Sequence, residues 1–301
     1  MFLQKVVIDK KCANKRLDKV IKILFPKLPQ NALFKAFRKK DIKVNGMRQN
    51  ASYIVDLGDI LEIYIIDDIL YNTPQSGCDY SKFFDIVYED DNLIIVNKFQ
   101  GLAVHDDKNN DNYTLLNLLQ QYLAKTSYTP MLCHRLDRNT GGLVIVAKNT
   151  QTLNILLDKI KNNEIKKYYR CQVYGKLQKQ SGTLGGYLFK DKKLSKVFIY
   201  DNYKKNTMEI TTKYNVISFK NNVSTLDVEL LTGRTHQIRA HFAHIGHPII
   251  GDGKYGSNKI NHDFGYKFQA LWAYKLKFEL DDNNHLYYLN NKVFEVTPDF
   301  K

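Results

Sequence analysis

The chain has 301 residues, with 45 Lys and Arg against 31 Asp and Glu, a formal net charge of +14 and a pI near 9.3. That length suits one large domain and a small one, and the charge favours a polyanionic partner, nucleic acid before membrane. Four scattered cysteines (Cys12, Cys78, Cys133 and Cys171) form no C-x-x-C pair, and no apolar run reaches membrane-span length, which speaks against a disulfide framework, a cysteine zinc site and a transmembrane anchor.

Met1–Lys5 is too short an apolar start for a signal peptide, so a reducing, cytoplasmic setting is expected. Arg16–Phe25 places Leu17, Val20, Ile21 and Leu24 at helical spacing, and Pro26 and Pro29 then break the chain. Asn31 is a candidate N-cap for a second helix, with Leu33, Ala36 and Phe37 on one face. Lys35, Arg38, Lys39 and Lys40 take the other face. Ile42-Lys43-Val44 alternates, Asn45-Gly46 marks a hairpin, and Tyr53, Val55 and residues 60–66 supply further strands. Residues 1–66 thus read as two helices on a small sheet. They carry 14 Lys and Arg less 6 Asp and Glu, a net of +8. More than half of the charge therefore lies in about a fifth of the length.

Residues 67–83 lack a period and read as a linker. A larger domain, 84–301, follows. Ile86–Glu89, the turn Asp90–Asn92 and Leu93–Lys98 read as a hairpin, and Tyr113–Leu123 as a helix burying Leu115, Leu116, Leu119 and Leu123. Met131–Asn149 opens with the polar cluster His134, Arg135, Asp137 and Arg138. Gly141-Gly142 then permits a tight turn, and Leu143–Ala147 reads as a buried strand. Asn149–Asn163 reads as a helix with Leu153, Leu156, Leu157 and Ile160 inward, and Lys166–Val173 alternates as a strand. Residues 176–210 hold strands and exposed loops; Lys213–Phe219, Val223–Leu231 and Phe268–Leu280 are further strands. Ile238, Phe242 and Ile245 share a helical face, with Arg239 offset from it.

Several of these stretches resemble known families. Arg16, Leu17, Asp18, Val44-Asn45-Gly46 and Gly58-Asp59 resemble the S-four-like RNA-binding fold. That resemblance implies an RNA-contacting surface of Lys35, Arg38, Lys39, Lys40, Lys43 and Arg48; the plainer reading is a solvated lysine-rich face. His134-Arg135-Leu136-Asp137-Arg138-x-Thr140-x-Gly142-Leu143, with Ala147-Lys148 beyond, resembles the H-R-L-D signature of RluA-type pseudouridine synthases. Asn97-Lys98-x-x-Gly101-Leu102-x-Val104-His105, Lys167-x-Tyr169-x-Cys171-x-Val173-x-Gly175 and Leu231–His241 resemble further motifs of the same family, the last continuing through Gly251-Asp252 and Tyr255-Gly256. The chain departs from the family pattern at Phe99-Gln100 (usually Pro-Ala), Gly141 (usually Ser), Cys171 (usually Ala) and Trp272 (often His).

The resemblance spans most of residues 10–280. It implies an α+β fold, in which a small basic RNA-binding domain precedes a catalytic domain with a mixed, mostly antiparallel sheet and flanking helices. It also implies conversion of uridine to pseudouridine in large-subunit ribosomal RNA by a monomer that needs no cofactor and no metal. The stretch R-K-x-D-I-K-V-N-G is similar to the RluC branch, with the RluD branch and a transfer RNA target open.

The chemistry asks for a carboxylate, either as nucleophile or as the base that draws a proton from the sugar. Asp137, on a loop entering a core strand, is the candidate, against the plain reading of a surface ion pair. By resemblance, Arg239 holds it, with Arg234 as the alternative holder or a phosphate contact. By the same resemblance Tyr169 stacks on the flipped base, with a hydroxyl able to relay a proton, Arg135 fills the gap left by the flipped nucleotide or holds its backbone, and His134 orients the loop or touches RNA. The plain readings are a core aromatic for Tyr169 and structural hydrogen bonding for the other two. His236, His241, His244 and His247 could suggest a metal site, but no carboxylate or cysteine joins them in sequence. The rival functions are a non-catalytic RNA-binding or ribosome-assembly factor and a metal-dependent hydrolase.

Overall fold

The apolar residues collect into separate cores, and the described residues fall into two compact units, one within Met1–Asp79 and one beginning at Tyr80. The structure, a computed structural model, describes residues 2–26, 28, 30–65, 79–105, 113–281 and 284–300, with backbone alone at 2–4, 30–32, 35 and 65.

The first unit runs β1 (Phe2–Val7), β2 (Lys15–Arg16), helices Leu17–Leu24 and Gln30–Lys39, β3 (Ile42–Val44), β4 (Met47–Arg48), β5 (Ile54–Val55) and β6 (Ile60–Ile65). Leu17, Val20 and Ile21 are buried, as the i, i+3, i+4 spacing requires, against Leu33, Ile42, Val44, Leu61 and Ile63. The sheet order is β1-β6-β3-β4, with β2 paired to β5 apart from it. Asn45 and Gly46 both take positive φ, 52° and 75°, as a two-residue hairpin turn of this kind demands. Asn45 also ties that turn to the next: its Nδ2 donates to Asp59 Oδ1 at 2.7 Å, and its Oδ1 accepts from the Ile60 amide at 2.8 Å.

Two details differ from expectation. The second helix starts at Gln30, so Asn31 lies inside it rather than at its cap. Strand β1 was not anticipated: F-L-Q-K-V-V lacks alternation, and its partner β6 lies more than fifty residues away. Of the expected linker 67–83, residues 67–78 lie outside the described residues, and Tyr80–Lys82 forms a short 3-10 turn.

The second unit contains β7 (Phe84–Glu89), β8 (Leu93–Lys98), β9 (Met131–Leu132), β10 (Gly141–Ala147), β11 (Ile165–Tyr174), β12 (Ser181–Asp191), β13 (Lys196–Tyr200), β14 (Met208–Lys220), β15 (Val223–Leu230), β16 (Leu271–Phe278) and β17 (Val293–Glu295). They form one eleven-stranded sheet in the order β13-β12-β14-β15-β11-β16-β10-β8-β7, with β17 on β16 and β9 on β10. Every pairing is antiparallel except β10 with β16. The fold is therefore α+β with a mixed, mostly antiparallel sheet, as expected.

All seven residues of β10 are buried, which explains why that strand reads as a continuous apolar run. Helices Leu115–Tyr122 and Thr150–Lys161 are capped by Thr114 and Asn149, whose side chains accept from the amides of Asn117 and Thr152. Leu118 is buried where Leu116 was expected, and Leu157 is exposed while Leu156 packs inward. Helices Gln237–His244 and Asn258–Phe264 complete the unit. Among the described residues, no helix is long and apolar enough to cross a membrane.

Gly141-Gly142 does not make a tight turn. Both residues open β10, in register with Trp272 and Ala273 of β16. A Cβ on Gly141 would fall on the Trp272 ring, and one on Gly142, at φ 113°, on the Ala273 backbone. The glycines let two strands approach closely.

Candidate active site

The loop between β9 and β10 is pinned from two sides before any functional side chain is placed. His134 Nε2 accepts from the Ile145 amide of β10 at 3.1 Å. Burial, with Lys167 nearby, pushes this imidazole down to about 3, so it stays neutral and keeps its acceptor nitrogen. On the other side Lys98, at the end of β8 and fully buried, donates to the carbonyls of Phe99 (3.0 Å), Leu102 (2.9 Å) and Arg138 (3.1 Å). Burial pushes Lys98 down to about 7, with Asp137 pulling the other way. Three carbonyl acceptors use all three hydrogens of the charged form. The Gly101 amide donates to the same Arg138 carbonyl at 3.0 Å, and the Thr140 amide to the Asp137 carbonyl at 3.0 Å.

Asp137 thus projects from a fixed turn, its side chain 22% exposed. Its Oδ2 accepts from Arg239 Nη1 at 2.6 Å. Arg239, on the first turns of helix Gln237–His244, is itself clamped: Nε and Nη2 donate to Asp252 Oδ2 and Oδ1 at 2.7 and 2.9 Å. Asp252 is wholly buried, and its Oδ1 also accepts from the amides of Lys254 (2.8 Å) and Tyr255 (3.1 Å). Burial opposes the guanidinium charge, but Asp252 and then Asp137 outweigh it and keep Arg239 protonated. Burial likewise opposes the Asp252 charge, and Arg239 with the two amides holds that carboxyl below the usual range. The bidentate pair fixes the plane of the guanidinium, and the remaining edge meets Asp137.

Tyr169 is buried on β11, its phenol pushed up by burial and by the charge of Asp137, so it stays protonated. The sheet and one helix therefore bring Asp137, Arg239 and Tyr169 together from positions up to 102 residues apart. Arg239, rather than Arg234, is the arginine on Asp137: Arg234 is exposed, and its amide donates to Gln237 Oε1 at 3.1 Å. Arg135 is exposed, with Nη1 3.2 Å from His105 Nε2. In the first unit Arg38, Lys39, Lys40 and Arg48 are exposed, and Lys43 is half-buried with Nζ 5.0 Å from the Tyr64 ring centre. The side chain of Lys35 lies outside the described residues.

The four histidines go to four places. His236 Nδ1 lies 2.8 Å from the Tyr255 hydroxyl, His241 Nδ1 3.0 Å from Thr212 Oγ1, His244 Nε2 2.9 Å from Asp201 Oδ1, and His247 Nδ1 2.9 Å from the Tyr174 carbonyl. Among the described residues, no group of three or more His, Cys, Asp or Glu is arranged to hold a metal ion.

Lys98, Asp252 and Tyr255, which stood in the sequence only as motif matches, and His236, which stood there only in the histidine cluster, shape the site in roles the sequence did not show. One signal was available for Asp252: a buried arginine requires an acid, and Gly251-Asp252 follows its helix closely.

The site thus holds an Asp fixed by a clamped arginine, near a buried tyrosine, on this mixed sheet. The RNA pseudouridylate synthase family pattern matches residues 92–244, which hold the Asp137 loop, Tyr169 and Arg239. The chain belongs to that family and is a pseudouridine synthase, an isomerase. Ribosomal large subunit pseudouridine synthase C of Rickettsia felis is 35% identical to it over 269 residues, 85% of this chain and 86% of the relative. Ribosomal large subunit pseudouridine synthase D of Buchnera aphidicola is 31% identical over 278 residues, 91% of this chain and 86% of the relative. The solved human RNA pseudouridylate synthase domain containing 1 superposes with a TM-score of 0.58 at 25% identity, covering 72% of this chain and 83% of its own.

Proposed function

We propose that this chain converts specific uridines of large-subunit ribosomal RNA to pseudouridine, with Asp137 as the reacting carboxylate. The observation that carries this reading is the contact of Asp137 Oδ2 with Arg239 Nη1 at 2.6 Å, backed by buried Asp252, which leaves Oδ1 off the arginine. The reaction breaks the bond from C1′ to N1, turns the base and joins C1′ to C5. The C5 proton leaves and N1 gains one, so atoms and electrons balance within the nucleoside, and neither redox cofactor nor metal is called for.

Asp137 serves either as nucleophile or as the base that takes a sugar proton, and the arginine supplies positive charge against it in both cases. Tyr169 offers a ring face to the flipped base, and Arg135 and Arg234 are exposed enough to reach the strand. His134 acts by orienting the loop. Residues 1–66 act as an S-four-like RNA-binding domain, joined through 67–83 to the catalytic domain 84–301, and the protein works as a cytoplasmic monomer. Relatives named both C and D support a large-subunit target, and the stretch at residues 38–46 is similar to the RluC branch. Mapping pseudouridines in ribosomal RNA from cells with and without the gene tests this. At least one uridine of the large-subunit RNA should lose its modification; a map unchanged there, with a change in transfer RNA, would move the target class.

A further inference from the structure

His236 lies near both Asp137 and Arg239, and the bond changes at C1′, N1 and C5 do not call on it. It caps helix Gln237–His244 with φ 53° and ψ 20°, in the left-handed region. Non-glycine residues are uncommon there, and they persist where their surroundings over-determine them. Its ring lies between two partners: Nδ1 is 2.8 Å from the Tyr255 hydroxyl, and Nε2 is 3.7 Å from Asp137 Oδ1. The Tyr255 oxygen already accepts from the Val197 amide at 2.9 Å, which fixes the phenol against β13. Its one O–H is left to donate, and Nδ1 is the acceptor within reach. With Nδ1 an acceptor, the ring hydrogen sits on Nε2 and faces Asp137.

We propose that His236 is a positioning residue, a neutral Nε2–H imidazole set by Tyr255 that donates to Asp137 Oδ1 when the target nucleotide closes on the site. The inference rests on the reading of Asp137 as the reacting carboxylate. Arg239 touches only Oδ2, and a carboxylate held by one oxygen still turns about its terminal torsion, which is broad for Asp. A second donor on Oδ1 fixes its plane. At 3.7 Å the bond is not yet made, as is common before substrate binds, and the gap is too narrow for a bridging water. The charged groups around the ring are Asp137 from the β9–β10 loop, Arg239 from its own helix, and Asp252 and Lys254 from the loop beyond. Burial, joined by Arg239 and Lys254, outweighs the two acids and pushes His236 down to about 4, so the ring stays neutral at working pH.

Two measurements on the full chain decide this. In protein labelled with nitrogen-15 at histidine, the His236 signals are assigned by their loss in His236→Gln. They should show the neutral Nε2–H tautomer from about pH 5.5 to 8.5. An Nδ1–H tautomer, or an imidazolium at neutral pH, would overturn the proposal. On ribosomal RNA that the wild type modifies, His236→Ala should lower kcat by about 10- to 100-fold, the loss of one hydrogen bond to a charged acceptor, with KM little changed. His236→Gln, which keeps an N–H near Nε2, should recover most of that loss, and Tyr255→Phe should lose part of it. Wild-type kcat in the Ala variant, or Gln no better than Ala, would contradict the role. If His236→Ala does not fold, Gln, Tyr255→Phe and the spectra still decide. Failure of the wild type to modify any ribosomal RNA would instead count against the functional reading, and the spectra would stand apart from it.

Discussion

Arg239 illustrates what a buried guanidinium needs before it can hold a reacting carboxylate. Asp252 takes two of its nitrogens and is itself anchored by two backbone amides. Removing one partner of a buried pair leaves an uncompensated charge, which costs about 3–5 kcal/mol. Asp252→Asn should therefore destabilise the second unit by roughly that amount in urea unfolding and reduce activity as well. The sign of the pH effect follows from the Asp252 carboxyl being held below its ordinary 3.8. Its stabilisation is present above that value and is lost as pH falls through the lower folded value. The variant should lose less further stability on acidification below about pH 4 than the wild type does. A change in stability under about 0.5 kcal/mol would contradict the clamp. At this scale the sequence was half legible. Asp137 and Arg239 stand in long, distinctive stretches, whereas Gly251-Asp252 continued the second of them without showing its pairing with Arg239. That pairing exists only once the loop after the helix folds back.

The strands show a different limit. The period of two and the apolar run of β10 made most strands readable; the caps at Thr114 and Asn149 were visible only in the structure, and Asn31, the one cap candidate, lies inside its helix. Gly141-Gly142 read as a turn because paired glycines usually mark one; its use became visible only with β16 alongside. That pairing also joins two departures from the family pattern, Gly141 for Ser and Trp272 for His. The Trp272 ring fills the space that a side chain at 141 would occupy, and its Nε1 donates to Asn97 Oδ1 at 3.2 Å. Each departure accommodates the other. Gly141→Ser alone should cost about 1–3 kcal/mol by overpacking. Trp272→His alone should also destabilise, by leaving a void. The double substitution should be less destabilised than the sum of the two, by at least about 1 kcal/mol in a double-mutant cycle. Simple additivity would mean the two positions are independent.

Across the whole molecule, charge is unevenly spent: residues 1–66 carry +8 of the net +14. Composition alone pointed to a polyanion, but only the matched stretches named the chemistry. Strand β1, whose pattern is weak and whose partner is distant, escaped both. If residues 1–66 grip RNA through phosphates, removing them should weaken binding and flatten its salt dependence. Each phosphate contact contributes about −0.9 to the log–log slope on duplex and about −0.7 on single strands. An unchanged slope would show that these residues are a solvated face.

Whether Asp137 is the carboxylate that acts on uridine is decided by Asp137→Asn. The amide is nearly isosteric, so the loop held by Lys98 and His134 should fold as before. What disappears is the charge and the reactive oxygen. The measurement is pseudouridine formed in ribosomal RNA by the purified variant, alongside its thermal unfolding and RNA affinity. Folding and affinity should stay near normal, with no pseudouridine formed. Conversion near the wild-type rate would show that Asp137 is not the reacting group and would contradict the mechanism.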